Sequence, residues 1–156
     1  MNGRTYAITF NAVAVTAASD LFEITPADDK PVEIVSIHIG QTSDAGDAAD
    51  ELLGVQIIRG FTTSGSGGSA ATPAPMCPAD TVAGLAAEVN NTTLANTGTT
   101  TTLHSDAFNV RAGWTYIPPL DARPVVNQGN TSLVVRTTAP ADSLTMNGTM
   151  IVREIG

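Results

Sequence analysis

The chain has 156 residues, 15 acidic side chains against 7 basic ones, and a formal net charge of −8. With Lys30 as its one lysine, it has no basic patch to neutralise phosphates or meet anionic headgroups, which excludes nucleic acid and membrane surfaces as partners. The length fits one domain that buries roughly two-thirds of its unfolded surface, and a threonine-rich composition that is 42% hydrophobic but 4% aromatic favours strands, because β-branched side chains pack well on a pleated surface.

Read from the start, "RTYAITFNAVAV" alternates Tyr6, Ile8 and Phe10 with Ala7, Thr9 and Asn11, the period of a half-buried strand. "DLFEIT" is a second, shorter strand, stopped by Pro26 and the turn residues that follow. "VEIVSIHIG" places Val35, Ile37 and Ile39 on one face and Ile34, Ser36 and His38 on the other. "LLGVQIIRG" alternates Leu53, Val55 and Ile57 with Gly54, Gln56 and Ile58, which suggests a hairpin with the preceding strand across a long acidic connection.

From about 61 to 78 the pattern stops: "FTTSGSGGSAATPAPMCP" is expected to form neither strand nor helix. Its residues Thr62 to Pro75, fully extended, could span about 45 to 50 Å. Loops of that length in compact domains are disordered or bind something, and the proline-rich half is stiffened for lying along a partner. One short helix is expected near Asp80 to Ala87, with Asp80 as cap. Four further strands follow, in "TTTTLHSDAFNV", "GWTYIP", "SLVVRTTA" and "SLTMNGTMIVREI"; in the last, Leu144, Met146, Met150 and Val152 line one face. The strand count and spacing predict a single-domain, all-β antiparallel sandwich over residues 1–156, a jelly roll by preference.

No motif names a reaction. Asp44, Asp47, Asp50 and Glu51 put four carboxylates in one loop, but the spacing departs from a calcium-binding loop, and they are read as solvated, with no metal site expected. His104, Ser105 and Asp106 are consecutive; neighbours on a strand point to opposite faces, so they are not expected to form a nucleophilic triad. No catalytic residue and no cofactor is expected. Trp114 and Tyr116 share one strand face and could stack on a sugar ring or anchor the core. Cys77, the single cysteine, can form no intrachain disulfide and has no basic neighbour to lower its pKa, so it is read as inert. The start "MNGRTYAITF" has no basic segment followed by an apolar run, and synthesis in the cytosol is expected.

Taken in order, "IRGFTTSGSGGSAATPAP", "EVNNTT", "LHSDAFNVRAGWTYIP" and "DSLTMNGTMIVREIG" resemble segments of small virion proteins of tailed bacteriophages. The resemblance implies a capsid decoration, or cement, protein: a structural virion component, made in the host cytoplasm, that binds the major capsid protein on the head surface and stabilises the shell, commonly as a homotrimer. Such proteins often hold the shell with an N-terminal arm; here the strand pattern begins by Tyr6, so any arm is internal. Partner contact is expected at Phe61, Thr62, Thr63, Ser64, Gly65, Pro73 and Pro75, with Trp114 and Tyr116 as further candidates. A head fibre or tail component, or a host carbohydrate-binding module using Trp114 and Tyr116, stand as alternatives. If the loop only contacts partners, replacing Thr62 to Pro75 by a short turn should leave stability nearly unchanged.

Overall fold

A computed structural model describes residues 3–43, 51–127, 129 and 131–156. The strands are β1 (Arg4–Val15), β2 (Ser19–Thr25), β3 (Val32–Gln41), β4 (Leu52–Phe61), β5 (Ser69–Ala71), β6 (Ala74–Pro75), β7 (Ala86–Asn91), β8 (Thr101–Asn109), β9 (Trp114–Tyr116), β10 (Val125–Val126), β11 (Ser132–Thr137) and β12 (Leu144–Glu154). They form two antiparallel sheets. Sheet A runs β10-β3-β12-β1-β6, with β9 also on β3; sheet B runs β5-β7-β2-β11-β4-β8.

The wiring is a set of nested pairs. β1 pairs with β12, β2 with β11, β3 with the interrupted strand β9 and β10, and β4 with β8. Each successive pair switches sheets, which is how a jelly roll winds two sheets around one core. β3 and β4 therefore lie in different sheets, and the expected hairpin between them is replaced by a crossing from one sheet to the other. β5, β6 and β7 are an insertion between β4 and β8 that extends both sheets at the β1/β2 edge.

The apolar periodicity explains the core. Tyr6, Ile8, Phe22, Ile24, Leu53, Val55, Ile57, Met146, Met150 and Val152 are completely buried between the sheets, each stabilising the fold by about 1.5 to 3 kcal/mol through transfer from water. At Gly148 in β12 a Cβ would overlap the Phe10 ring and approach Phe22 to 2.9 Å; a glycine lets this aromatic pair, with centroids 5.2 Å apart, sit between the sheets.

Two departures from strict alternation are bulges. In β3 the partner register passes from Ile151 with Ser36 to Val152 with Ile34, skipping Val35. The extra residue shifts the phase, so that Ile34, Ile37 and Ile39 are buried while Val35 is not. In β1 the register shifts between Phe10 and Val13, with Ala12 at φ 53 and its N–H donating to Asn147 Oδ1 at 2.7 Å.

The helix expected near Asp80 to Ala87 is absent. Glu154 Oε1 accepts hydrogen bonds from Gly84 N (2.8 Å) and Leu85 N (3.0 Å), tying this connection to β12, and from Ala86 the chain is strand, with Ala87 and Val89 pointing into the core. Helical structure among the described residues is one 3₁₀ turn, Leu120–Ala122, and no helix is long and apolar enough to cross a membrane.

Candidate functional site: a latched segment, an aromatic seam and an open face

The Gly/Ser/Pro stretch is an ordered part of the domain rather than the expected structureless loop. Leaving β4, residues 62–68 cross the outer face of sheet B; residues 92–98 make the return crossing to β8, and the two bridge at Thr63 with Asn96 and at Ser66 with Thr93. The next residues become β5 on β7, and then β6 on β1, so the segment passes from sheet B to sheet A and clasps their shared edge. Proline at 75 suits a two-residue edge strand, where a missing N–H costs the ladder little. Gly60 (φ 100) and Gly98 (φ 93) sit where the crossings leave β4 and approach β8; a Cβ on either would overlap a carbonyl oxygen, of Thr99 and of Gly60 respectively.

Buried polar groups latch the crossings. Arg136 Nε donates to Asp20 Oδ1 at 2.6 Å and its Nη2 to Asp20 Oδ2 at 3.0 Å, while Nη2 also donates to Ala95 O at 2.8 Å. Asp20 Oδ2 in turn accepts from Ala95 N at 2.8 Å. One bidentate ion pair thus holds both backbone groups of Ala95, with its guanidinium 4.9 Å from the Phe61 ring centroid. Glu23 Oε2 accepts from Gly65 N and Asn91 Nδ2, both at 3.0 Å, and Asn91 Oδ1 accepts from Gly68 N at 3.2 Å. Beneath lies a second apolar cluster, Ile58, Phe61, Ala95 and Val134, which explains why Ile58, on the outward face of β4, is buried.

The residues expected to touch a partner divide accordingly. Phe61 and Gly65 are buried in the latch, Thr62, Thr63 and Ser64 are exposed on its outer side, and Pro73 and Pro75 are half-buried in the clasp. A carboxylate inside an apolar strand, as in "DLFEIT", is the one sequence sign of the latch, and it reads as an ordinary solvated position until Arg136 and Asn91 are placed beside it.

Trp114 and Tyr116 meet His104 at the opposite edge, where β8 of sheet B faces β9 of sheet A. The Trp114 and Tyr116 rings stack at 5.7 Å with a 12° interplanar angle, and His104 lies 4.5 Å from Tyr116 and 6.0 Å from Trp114. Trp114 is 6% exposed, so it anchors this seam and offers no open face for a sugar. Its indole N–H donates to Asp106 Oδ2 at 3.1 Å. That bond, then the one from Ala107 N, holds the Asp106 carboxyl below the usual carboxylate range, while burial pushes the Tyr116 phenol up. Ser105 points the other way, where its hydroxyl accepts from Gln56 at 3.4 Å; His104 and Asp106 share a face without it.

The outer face of sheet A is bare by comparison. Thr9, Thr149, His38 and Thr115 occupy one row across four strands, with His38 Nδ1 and Thr115 Oγ1 3.3 Å apart. They line an open trough of about 590 Å³ flanked by Asn11 and Asn147, with Gly40 leaving a gap. Asp44, Asp47 and Asp50 lie outside the described residues. Glu51 is within them, and its Oε1 accepts from Ala141 N. Cys77 is exposed.

No protein-family model matches this chain, and no curated protein matches it. Among solved structures, the complex of the two major capsid proteins VP16 and VP17 of bacteriophage P23-77 aligns over 99% of this chain and 91% of that one, at 9% identity and a TM-score of 0.20. A superposition that poor bears on neither fold nor role.

Proposed function

We propose that the chain is a virion structural protein of a tailed bacteriophage, a non-enzymatic capsid decoration protein that seats on the major capsid protein and stabilises the head as a homotrimer. The observation that carries this reading is where the exposed apolar side chains fall. Five of the six large ones among the described residues lie at one end of the sandwich, where β1 begins and β12 finishes: Met76, Val82, Ile117 and Leu120 in connections, and Ile155 just after β12. Met76 N donates to Thr5 O, Ile155 N to Pro31 O, and the turn carrying Leu120 runs into β10, paired with the start of β3. Apolar side chains gathered at one end of a rigid, acidic sandwich suit docking on another protein.

The use of the polar groups points the same way. Glu33 takes ion pairs from Arg123 (3.2 Å) and Arg153, Glu154 ties down the 76–85 connection, and Asp20 and Glu23 hold the crossings; each strong constellation fixes the chain to itself. The segment resemblance to small phage virion proteins supplies the biological setting.

The test is to locate the protein on purified particles, with heads and tails separated, and to weigh the free protein by native mass spectrometry. The proposal expects copies on heads and a trimer mass; Ile117→Asp with Leu120→Asp should fold normally and lose head occupancy. A monomer found only on tails would contradict it, as would full occupancy by the double variant.

A further inference from the structure

We infer that Glu23 and Glu88 together bind a hard divalent cation, of which calcium is the best fit, and that this ion completes the latch over sheet B. The two carboxylates are directly opposite each other on β2 and β7, a placement that brings Cβ atoms within about 4.5 to 5.5 Å and is destabilising for like charges left uncompensated. Asn91 Nδ2 joins them, donating to Glu23 Oε2 at 3.0 Å and Glu88 Oε2 at 2.8 Å. One amide group cannot neutralise two charges. Asp20 has Arg136 beside it, whereas no ion pair among the described residues involves Glu23 or Glu88.

Two further observations point to a ligand. Glu23 is 2% exposed, and its Oε1 is buried without a hydrogen-bond partner among the described residues, an arrangement that carries a cost when nothing compensates it. Beside it is a cavity of about 80 Å³ lined by Glu23, Glu88, Thr25 and Ser64, with Ala86 and Ala87. That volume holds one ion with one or two waters, each water taking about 30 Å³ of liquid. Thr25 lies on the same face two residues along β2, opposite Ala86, and Ser64 comes from the crossing itself, its Oγ 3.5 Å from Glu88 Oε2.

The donor set is all oxygen: two carboxylates whose charge matches a divalent ion, two hydroxyls, and room for water. Calcium accepts such mixed, irregular oxygen shells, while a lining without imidazole or thiolate does not favour a transition metal. Because Ser64 and the Gly65 amide belong to the segment being latched, occupancy fastens residues 62–68 to β2 and β7. Glu88 is half-buried, leaving the ion a route from solvent.

The test uses calcium chloride and the full chain, by calorimetric titration and thermal unfolding. Three proteins are compared: the native chain, Glu88→Gln, which keeps an acceptor for Asn91, and Asp47→Asn with Asp50→Asn, which weakens the acidic loop. The expected result is one calcium per native chain and an unfolding midpoint several degrees higher at about 10 mM calcium, above the weakest constants of extracellular calcium modules. Glu88→Gln should bind at least tenfold more weakly and lose the rise, and the loop variant should keep both. No heat and no shift in the native chain would overturn the inference. So would a response that survives Glu88→Gln and disappears in the loop variant.

Discussion

The two outer faces of this sandwich have similar strands and opposite fates. On sheet B the outward positions carry Asp20, Glu23, Ile58, Val134 and Arg136, and the chain folds back across them. On sheet A they carry Thr9, His38, Thr115 and Thr149, and the face stays open. The difference shows that a covering segment needs both an apolar cluster to bury and charges able to satisfy its backbone. Ile58 and Val134 supply the first requirement, Asp20 and Glu23 the second, and the threonine row of sheet A supplies neither.

Removing the cover from sheet B has the largest expected effect. Replacing Thr62 to Pro75 by a short turn removes β5, β6 and the bridges at Thr63 and Ser66 that hold residues 92–98, whose Ala95 packs with Ile58 and Val134; it should cost up to about 3 to 6 kcal/mol, the worth of those two side chains when buried. Urea unfolding at unchanged ionic strength measures it. That outcome is the opposite of the sequence-based expectation that the segment could be shortened at little cost. Within the latch, Asp20→Ala leaves Arg136 without its carboxylate and Ala95 N without an acceptor; breaking a buried pair from one side costs about 3 to 5 kcal/mol, checked in the same assay.

The seam between the faces gives a smaller and local effect. Asp106 is held below the usual carboxylate range, so its bond to Trp114 contributes stability that is fully present above the unfolded carboxyl's pKa and is lost as pH falls through the lower folded value. Fluorescence of Trp114, the single tryptophan, should therefore titrate with a midpoint below that of an ordinary aspartate, and Asp106→Asn should abolish the transition. Smallest of all, Thr149→Ala on the open face should change stability by no more than about 0.5 kcal/mol, as surface positions away from special features do; a large loss would mean that sheet A is also covered.

The alternation of Tyr6, Ile8 and Phe10 or of Leu53, Val55 and Ile57 exposes the strands directly to a reader of the sequence, because one face of each is buried and the period is two. Val35 misleads because a bulge adds one residue and shifts the phase, something decided by the partner strand β12. The short edge strands β5 and β6 are invisible for another reason. Serine, alanine and proline have little strand preference of their own, and what orders them is β7 for β5 and β1 for β6, both distant in sequence. Trp114 and Tyr116 could be placed on one face, but only the facing strand β8, with His104 and Asp106, decides that they close a seam.

The segment from Thr62 to Gly68 is a fixed layer of the domain, and hydrogen exchange at individual amides measures this directly. Gly65 N is bound to Glu23, Ala95 N to Asp20, and Thr63, Ser66, Thr93 and Asn96 exchange backbone bonds across the two crossings. These amides should exchange slowly, with protection approaching that of β2 and β11 beneath them. Exchange at the rate of an unprotected chain, while β2 and β11 stay protected, would contradict the account.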